Sequence, residues 1–235
     1  MRKVIVLALA LTTLAIAGCG TSEDSADVNQ DRIYTDYEVF YNANEDKTHV
    51  IARFRFGHAL GSILELKDSS GASVSYNGAK LAYSKFWGGH HREYAGNTVA
   101  GGSFVYTDTN GKRYSNTVPS GTSIGFPSGF DTIDKNTAQT LAWVGTFLAP
   151  NDQVGIFVGS WAWGDDALFW TDADGAIDIV FGVDQMRNLA LGTAEVFMDR
   201  WNAVNVAQGT SAGGRMRYKY RATNAVVTVI DSSPP

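Results

Sequence analysis

Proline is scarce, at 5 residues in 235, and cysteine occurs once. A single Cys excludes an internal disulfide framework and any multi-cysteine zinc or iron–sulfur site. Charged residues make up only 18% of the chain, against about 25% in ordinary soluble proteins. Asp and Glu number 24 against 19 Lys and Arg, for a net charge of −5. Such a chain is a poor nucleic-acid binder, because phosphate affinity needs a basic surface. Beyond Ala17 no apolar run approaches the roughly 20 residues that a membrane span requires. What is abundant is glycine, at 25 residues, and aromatic side chains, at 12%. With 44% hydrophobic residues the chain is not wholly disordered. The length suits one large β domain or two of about 100 residues each.

Arg2 and Lys3 form a short positive segment, and an apolar run follows from Val4 to Ala17, broken only by Thr12 and Thr13. The run is too short for a comfortable span and has the length of a secretory h-region. It ends in Ile16-Ala17-Gly18-Cys19, which resembles the lipobox of bacterial lipoproteins. That resemblance implies diacylation of the Cys19 thiol, cleavage just before it, and acylation of the new amine. Cys19 has no disulfide partner, which agrees with a thioether to lipid. Two or three acyl chains anchor stably where one does not. The mature protein is therefore expected on a bilayer without spanning it. Cleavage also removes Arg2 and Lys3, making the mature chain more acidic still. Gly20 to Asp27 read as a polar, acidic tether. Gly20 is not the Asp that commonly retains lipoproteins in the inner membrane. Ser22-Glu23-Asp24 resembles the acidic signals that export some lipoproteins to the cell surface. The expected address is the outer membrane, on the cell surface, with its periplasmic face as the alternative.

From residue 32 the pattern is period two, the mark of half-buried strands. Ile33, Tyr37 and Val39 share one face and Asp36 and Glu38 the other. Asn77-Gly78 predicts a tight hairpin from Val74-Ser75-Tyr76 to Lys80-Leu81-Ala82-Tyr83, since both central residues of a type I′ turn need positive φ. A second hairpin is expected from Phe104-Val105-Tyr106 to Tyr114. Residues 121–137 lose the alternation and carry Gly121, Gly125, Pro127 and Gly129, which reads as a junction. Strands resume with Leu141 and Trp143. Asp184 to Leu191 is the one plausible helical turn, with Asp184 as cap and Gly192 as stop. Ala194, Val196 and Met198 form a late inward row, and Met216, Tyr218 and Tyr220 another.

Short strands with turns every 8–12 residues or so suggest a sandwich or barrel. The chain resembles bacterial surface lipoproteins with tandem Ig-like modules, through Arg53-Phe54-Arg55-Phe56-Gly57, Phe104-Val105-Tyr106-Thr107-Asp108, Leu141-Ala142-Trp143-Val144-Gly145 and similar segments. The resemblance implies an all-β fold of two tandem Ig-like β-sandwich domains and brings no activity with it. The expected divisions are a signal peptide (1–18), lipidated Cys and acidic tether (19–31), first sandwich (32–120), junction (121–137), second sandwich (138–231) and tail (232–235).

Candidate chemistry is sparse. Gly121-Thr122-Ser123-Ile124-Gly125 and Gly209-Thr210-Ser211-Ala212-Gly213 both match G-x-S-x-G. The α/β-hydrolase order of Ser, acid, His is impossible, because His49, His58, His90 and His91 all precede both serines. A chymotrypsin order survives, but the segment around His58 lacks that family's motif. His90-His91 could hold a metal in a loop after Gly88-Gly89, whereas on a strand they would point to opposite faces. No H-E-x-x-H and no third ligand accompanies them, so the pair reads as a structural loop. Asp172-x-Asp174-Gly175 and Asp108-x-Asn110-Gly111 are fragments of a calcium loop without its closing Glu, and hairpin turns explain both. Arg215, Arg217, Lys219 and Arg221 alternate, so one strand face carries four cations. They suit lipopolysaccharide phosphates or an acidic glycan, or serve as a solvated face that discourages edge pairing. Trp87, Trp161, Trp163 and Trp170 could stack on sugars or lie in the core.

The reading is a non-catalytic, acylated binding, adhesion or scaffold protein with no cofactor and no metal. Its expected partners are the membrane, through lipid on Cys19, and a glycan or a protein. A carbohydrate-binding module using exposed Trp residues is the first alternative, and a hydrolase the second.

Overall fold

A computed structural model describes residues 22–97, 102–119, 121–159 and 164–232. The main strands are β1 (Ile33–Asn42), β2 (Lys47–Phe56), β3 (Ser73–Tyr76), β4 (Gly89–Ala95), β5 (Ser103–Thr107) and β6 (Arg113–Thr117). They continue with β7 (Asp152–Gly159), β8 (Ala167–Thr171), β9 (Gly192–Asn205), β10 (Gly214–Arg221) and β11 (Ala225–Ile230). The protein is nearly all-β with sandwich layers, as its alternation implies. Aromatic and β-branched residues dominate these segments because they suit a pleated, half-buried surface.

One large sheet runs through the molecule in the order β4-β2-β1-β10-β9-β7-β8. All neighbours are antiparallel except β1 and β10, which pair in parallel from Thr35↔Gly214 to Asn42↔Arg221. β9 is 14 residues long. One edge pairs with β7, and the other pairs first with β11 and then with β10.

Two hydrophobic clusters lie against the inner side of this sheet. The first joins Tyr37, Val39, Val50 and Phe54 to Val74, Tyr76, Phe104 and Tyr106 of a smaller sheet ordered β6-β5-β3. Its rings interlock across the layers. Tyr37 stacks on Phe104 at 4.5 Å and Phe54 meets Tyr106 at 4.7 Å. Such pairs add to plain area burial. Met216 and Tyr218 of β10 belong to this same cluster. The second cluster joins Val154, Ile156, Val196 and Met198 to Leu141, Ile179, Phe181 and Met186. Val118 lies in the first cluster, and Ile124 and Ile133 in the second, so the chain changes cluster near the stretch read as a junction.

Local chemistry explains the turns. Asn77 and Gly78 have φ of 47° and 79°, as the tight hairpin requires. The returning arm is shorter than expected. Ala79–Lys80 pairs with β3, and Ala82–Ser84 leaves to pair with β4. Leu81 is buried at the crossing, its N–H donating to Val74 O at 3.0 Å, so the strand is split by the need to bury one side chain. Asp108 shapes the second hairpin by accepting from the N–H groups of Asn110 and Lys112, each at 2.9 Å. The helical turn spans Val183–Met186, and its cap is Gly182 rather than Asp184, which lies inside the first turn.

Candidate functional site

The outer side of the large sheet carries the chemistry. Alternation turns the neighbours of core residues outward. On β1 these are Asp36, Glu38 and Phe40, and on β2 His49, Ile51 and Arg53. The register sets Arg215 beside Asp36, Arg217 beside Glu38 and Lys219 beside Phe40. Farther along, Trp201 lies beside Lys219 and Asp199 beside Arg221. Gly155 and Phe157 of β7 follow, then Leu168 and Trp170 of β8. Seven strands at the usual spacing make this face about 29 Å wide.

Its middle is an ion-pair network in which five cations share three carboxylates. Glu38 accepts from Arg53 Nη1 at 2.7 Å, and Asp36 from Arg215 Nη2 at 2.8 Å. Arg217 reaches both acids with Nη2 alone, at the longer distances of 3.3 and 3.4 Å. Asp199 is gripped by Lys219 Nζ at 2.6 Å and by Arg221 in a two-pronged contact at 2.7 and 2.9 Å. Burial pushes the Asp199 carboxyl up, but Arg221 and Lys219 outweigh it and the net shift is downward. The hydrogen bond to Asp36 raises Arg215, and that to Asp199 raises Arg221. The four alternating cations thus share one face, and each is ion-paired rather than merely solvated.

Aromatic rings flank the network. Lys219 Nζ sits 4.9 Å from the Phe40 centroid, and the Arg221 guanidinium 5.4 Å from that of Phe197. The Trp201 indole lies over Gly155, where an added Cβ would come within 3.1 Å of the ring. Glycine at this position is what lets the indole lie on the strand. An open groove of about 580 Å³ results, lined by Phe157, Leu168, Phe197 and Trp201 together with Arg217, Lys219 and Arg221.

The other end of the face is tighter. His49 is 5% exposed, with its Nδ1 3.2 Å from His91 Nε2. The Trp87 ring stacks on His91 at 4.7 Å and meets His49 at 4.8 Å. Burial, then the nearby His49, hold the His91 pKa below its usual value. His90 points the opposite way, is 3% exposed, and accepts the Leu66 N–H at 3.1 Å. Trp87 is half-buried, and Trp170 is 61% exposed on the β8 side of the face. Trp161, Trp163 and Cys19 lie outside the described residues.

Ser211 Oγ donates to the Asp31 carbonyl at 2.7 Å, and its N–H bonds the Asp31 carboxylate at 3.1 Å. This ties a glycine-rich turn to the Gln30–Arg32 segment just before β1. Ser123 is exposed. Among the described residues no group of three or more His, Cys, Asp or Glu is arranged to hold a metal ion. Trp201, Phe157, Phe197, Phe40 and Gly155 were not singled out in the sequence. The outward phase of Phe197 and Trp201 follows from the inward row of Ala194, Val196 and Met198, that of Phe40 from Tyr37 and Val39, and that of Gly155 and Phe157 from Val154, Ile156 and Val158. Their meeting depends on the strand neighbourhood.

No protein-family model matches the chain, and no curated protein matches it. Among solved structures it is similar to one described as structural insight into host cell surface retention of a 1.5-MDa bacterial ice-binding adhesin. The identity is 14% and the TM-score 0.26, over 87% of this chain and 67% of that one. At that score the likeness carries no argument about function. No helix among the described residues is long and apolar enough to cross a membrane.

Proposed function

We propose that this is a non-catalytic binding protein, held at the outer membrane by acyl chains on Cys19 and acting in adhesion at the cell surface. The observation that carries the reading is the open outer face of the large sheet, where apolar and aromatic side chains stand beside ion-paired cations. Leu168 and Trp170 are each 61% exposed there. Contiguous exposed apolar surface of this kind marks interaction sites on folded proteins. The lipid supplies attachment. Glu23 and Asp24, in the acidic segment that reads as a tether, pair in parallel with Leu64 and Glu65 and so dock on the fold rather than extend from it.

A second reading, that the bound partner is a carbohydrate, is favoured by one observation. The Trp201 indole lies over Gly155, and the sheet register places Trp201 beside Lys219. A flat apolar ring beside donors and acceptors suits a sugar, whose faces carry C–H groups and whose rim carries hydroxyls.

The test compares producing cells, deletion cells and cells making Cys19→Ala on surfaces coated with extracellular polysaccharide or matrix protein. Wild-type cells should be retained, and protease added to intact cells should strip the protein and the retention together. Cys19→Ala should leave the membrane fraction and abolish retention. Deletion cells that adhere as well as the wild type would refute an adhesion role.

A further inference from the structure

The groove has two chemical halves, and together they specify a ligand. One half is apolar and flat: Trp201 over Gly155, with Phe157 and Phe197 6.0 Å apart beside it. The other half is Arg217, Lys219 and Arg221, set against Glu38 and Asp199. Its volume of about 580 Å³ falls within the roughly 300–1,000 Å³ typical of small-molecule sites.

The charge balance runs against the rest of the molecule. The chain carries −5 overall, yet on this face five cations meet three carboxylates. Arg217 is the least satisfied of them. Among the described residues its buried Nε has no hydrogen-bond partner, and its ion pairs are the long ones at 3.3 and 3.4 Å. Charge-assisted N–H···O bonds normally close to about 2.7–2.9 Å. The Arg217 and Lys219 side chains remain 24% and 25% exposed, so a carboxylate entering the groove can close on their outer nitrogens. Arg221 already shows the fit, holding the planar carboxylate of Asp199 by two parallel bonds.

We propose that this groove binds a uronate-bearing glycan, with a pyranose ring stacked on Trp201 and its carboxylate held by Arg217 and Lys219. The inference rests on the binding reading above and names the ligand class of that same face. Free lone pairs on Asp199 and Glu38 accept ring hydroxyls, so the site orients a sugar as well as attracting its charge. Gly155 is a positioning residue, since a Cβ there would press on the indole at 3.1 Å. A two-charge excess on an acidic protein is too small to hold nucleic acid at ordinary salt.

The test uses the full mature acylated protein in detergent micelles, titrated calorimetrically with tetragalacturonate and with its fully methyl-esterified form. The ester keeps every ring and removes every charge. The acid should bind, and the ester should bind at least about tenfold more weakly. Trp201→Ala should weaken acid binding by about tenfold or more, as loss of a central aromatic anchor does. Arg217→Gln should bring the acid down to the level of the ester. Gly155→Val removes no ligand-contacting group and should still weaken both forms, with the melting temperature confirming the fold of each variant. Equal affinity for acid and ester overturns the proposal. So does wild-type binding by both Arg217→Gln and Gly155→Val. Failure to bind tetragalacturonate while producing cells still adhere overturns it too, and leaves the adhesion reading standing.

Discussion

Arginine does two different jobs here, and burial decides which. The outer-face pairs are partly exposed, and contacts of that kind contribute about 0–1 kcal/mol each. Arg200 projects to the other side of β9 and is 3% exposed. It donates to the carbonyls of Thr146 and Phe147 at 2.9 and 3.0 Å and pairs with the Asp152 carboxylate. Asp152 is held in turn by Asn202 Nδ2 at 2.8 Å and the Ala149 N–H at 3.2 Å. One guanidinium thus fixes the loop entering β7, with Trp143 Nε1 donating to the same Thr146 carbonyl at 3.1 Å. Breaking a buried pair strands the remaining charge, whereas replacing both partners with apolar groups does not. Arg200→Ala should therefore cost about 3–5 kcal/mol. The double variant Arg200→Met with Asp152→Leu should cost clearly less. Urea midpoints would decide it, and a single-variant loss under about 1 kcal/mol would make the pair no more than a surface contact.

At the scale of strands, His90 and His91 show what alternation does to identical neighbours. His91 faces outward to His49 and Trp87, while His90 faces inward and couples β4 to the Leu66 backbone. Burial is the main cause of the lowered His90 pKa. Leu81, Glu65 and Asp68 oppose it, and Lys80 adds to it. The folded pKa lies below the ordinary 6.5, so the unfolded chain binds the proton more readily. His90 therefore contributes stability that is present above pH 6.5 and lost as pH falls through the folded pKa. His91 shifts the same way and adds to the slope. The melting temperature should drop as pH falls from 7.5 to about 5. His90→Gln keeps an acceptor for the Leu66 N–H and removes the titration, so the drop should shrink. An unchanged slope in that variant would assign the acid sensitivity elsewhere. Alternation along Ile33 to Val39 was legible in the sequence, because period two needs no knowledge of neighbours. His90 and His91 read as a loop there, and the structure instead sets both on β4. The Asn77-Gly78 turn was legible for a similar reason, being set by φ alone. The split of the returning arm at Leu81 was not, since it depends on a core that only the assembled sheets create.

Strand adjacency is the part of the molecule that no local signal carries. β10 lies beside β1 in parallel, although roughly 180 positions separate Asp36 from Arg215. That pairing assembles the candidate site. The four alternating cations could be read from the chain, but the carboxylates on β1 and β9 that pair with them could not, nor could Trp201 over Gly155. It also makes the first hydrophobic cluster depend on the end of the chain. Met216 and Tyr218 are each 3% exposed within that cluster. Thr210 Oγ1 donates to the Ile33 carbonyl at 2.7 Å, and Gln208 exchanges two bonds with Asn116 at 2.8 and 2.9 Å. A fragment ending at Pro119 would leave β1 with an open edge and two gaps in its core. Residues 22–119 alone should show no cooperative thermal transition. Asn116 already touches Gln208, so a short flexible linker from Pro119 to residues 206–222 can restore β10 without crossing the fold. That graft should recover a sharp melt, because it returns the missing strand and both side chains. Cooperative melting of the bare fragment near the full-length temperature would show that the first half stands alone. Melting only of the grafted form would show that the last strands complete a core begun near the N-terminus. Folding would then wait on contacts of very high sequence separation, which are slow to form.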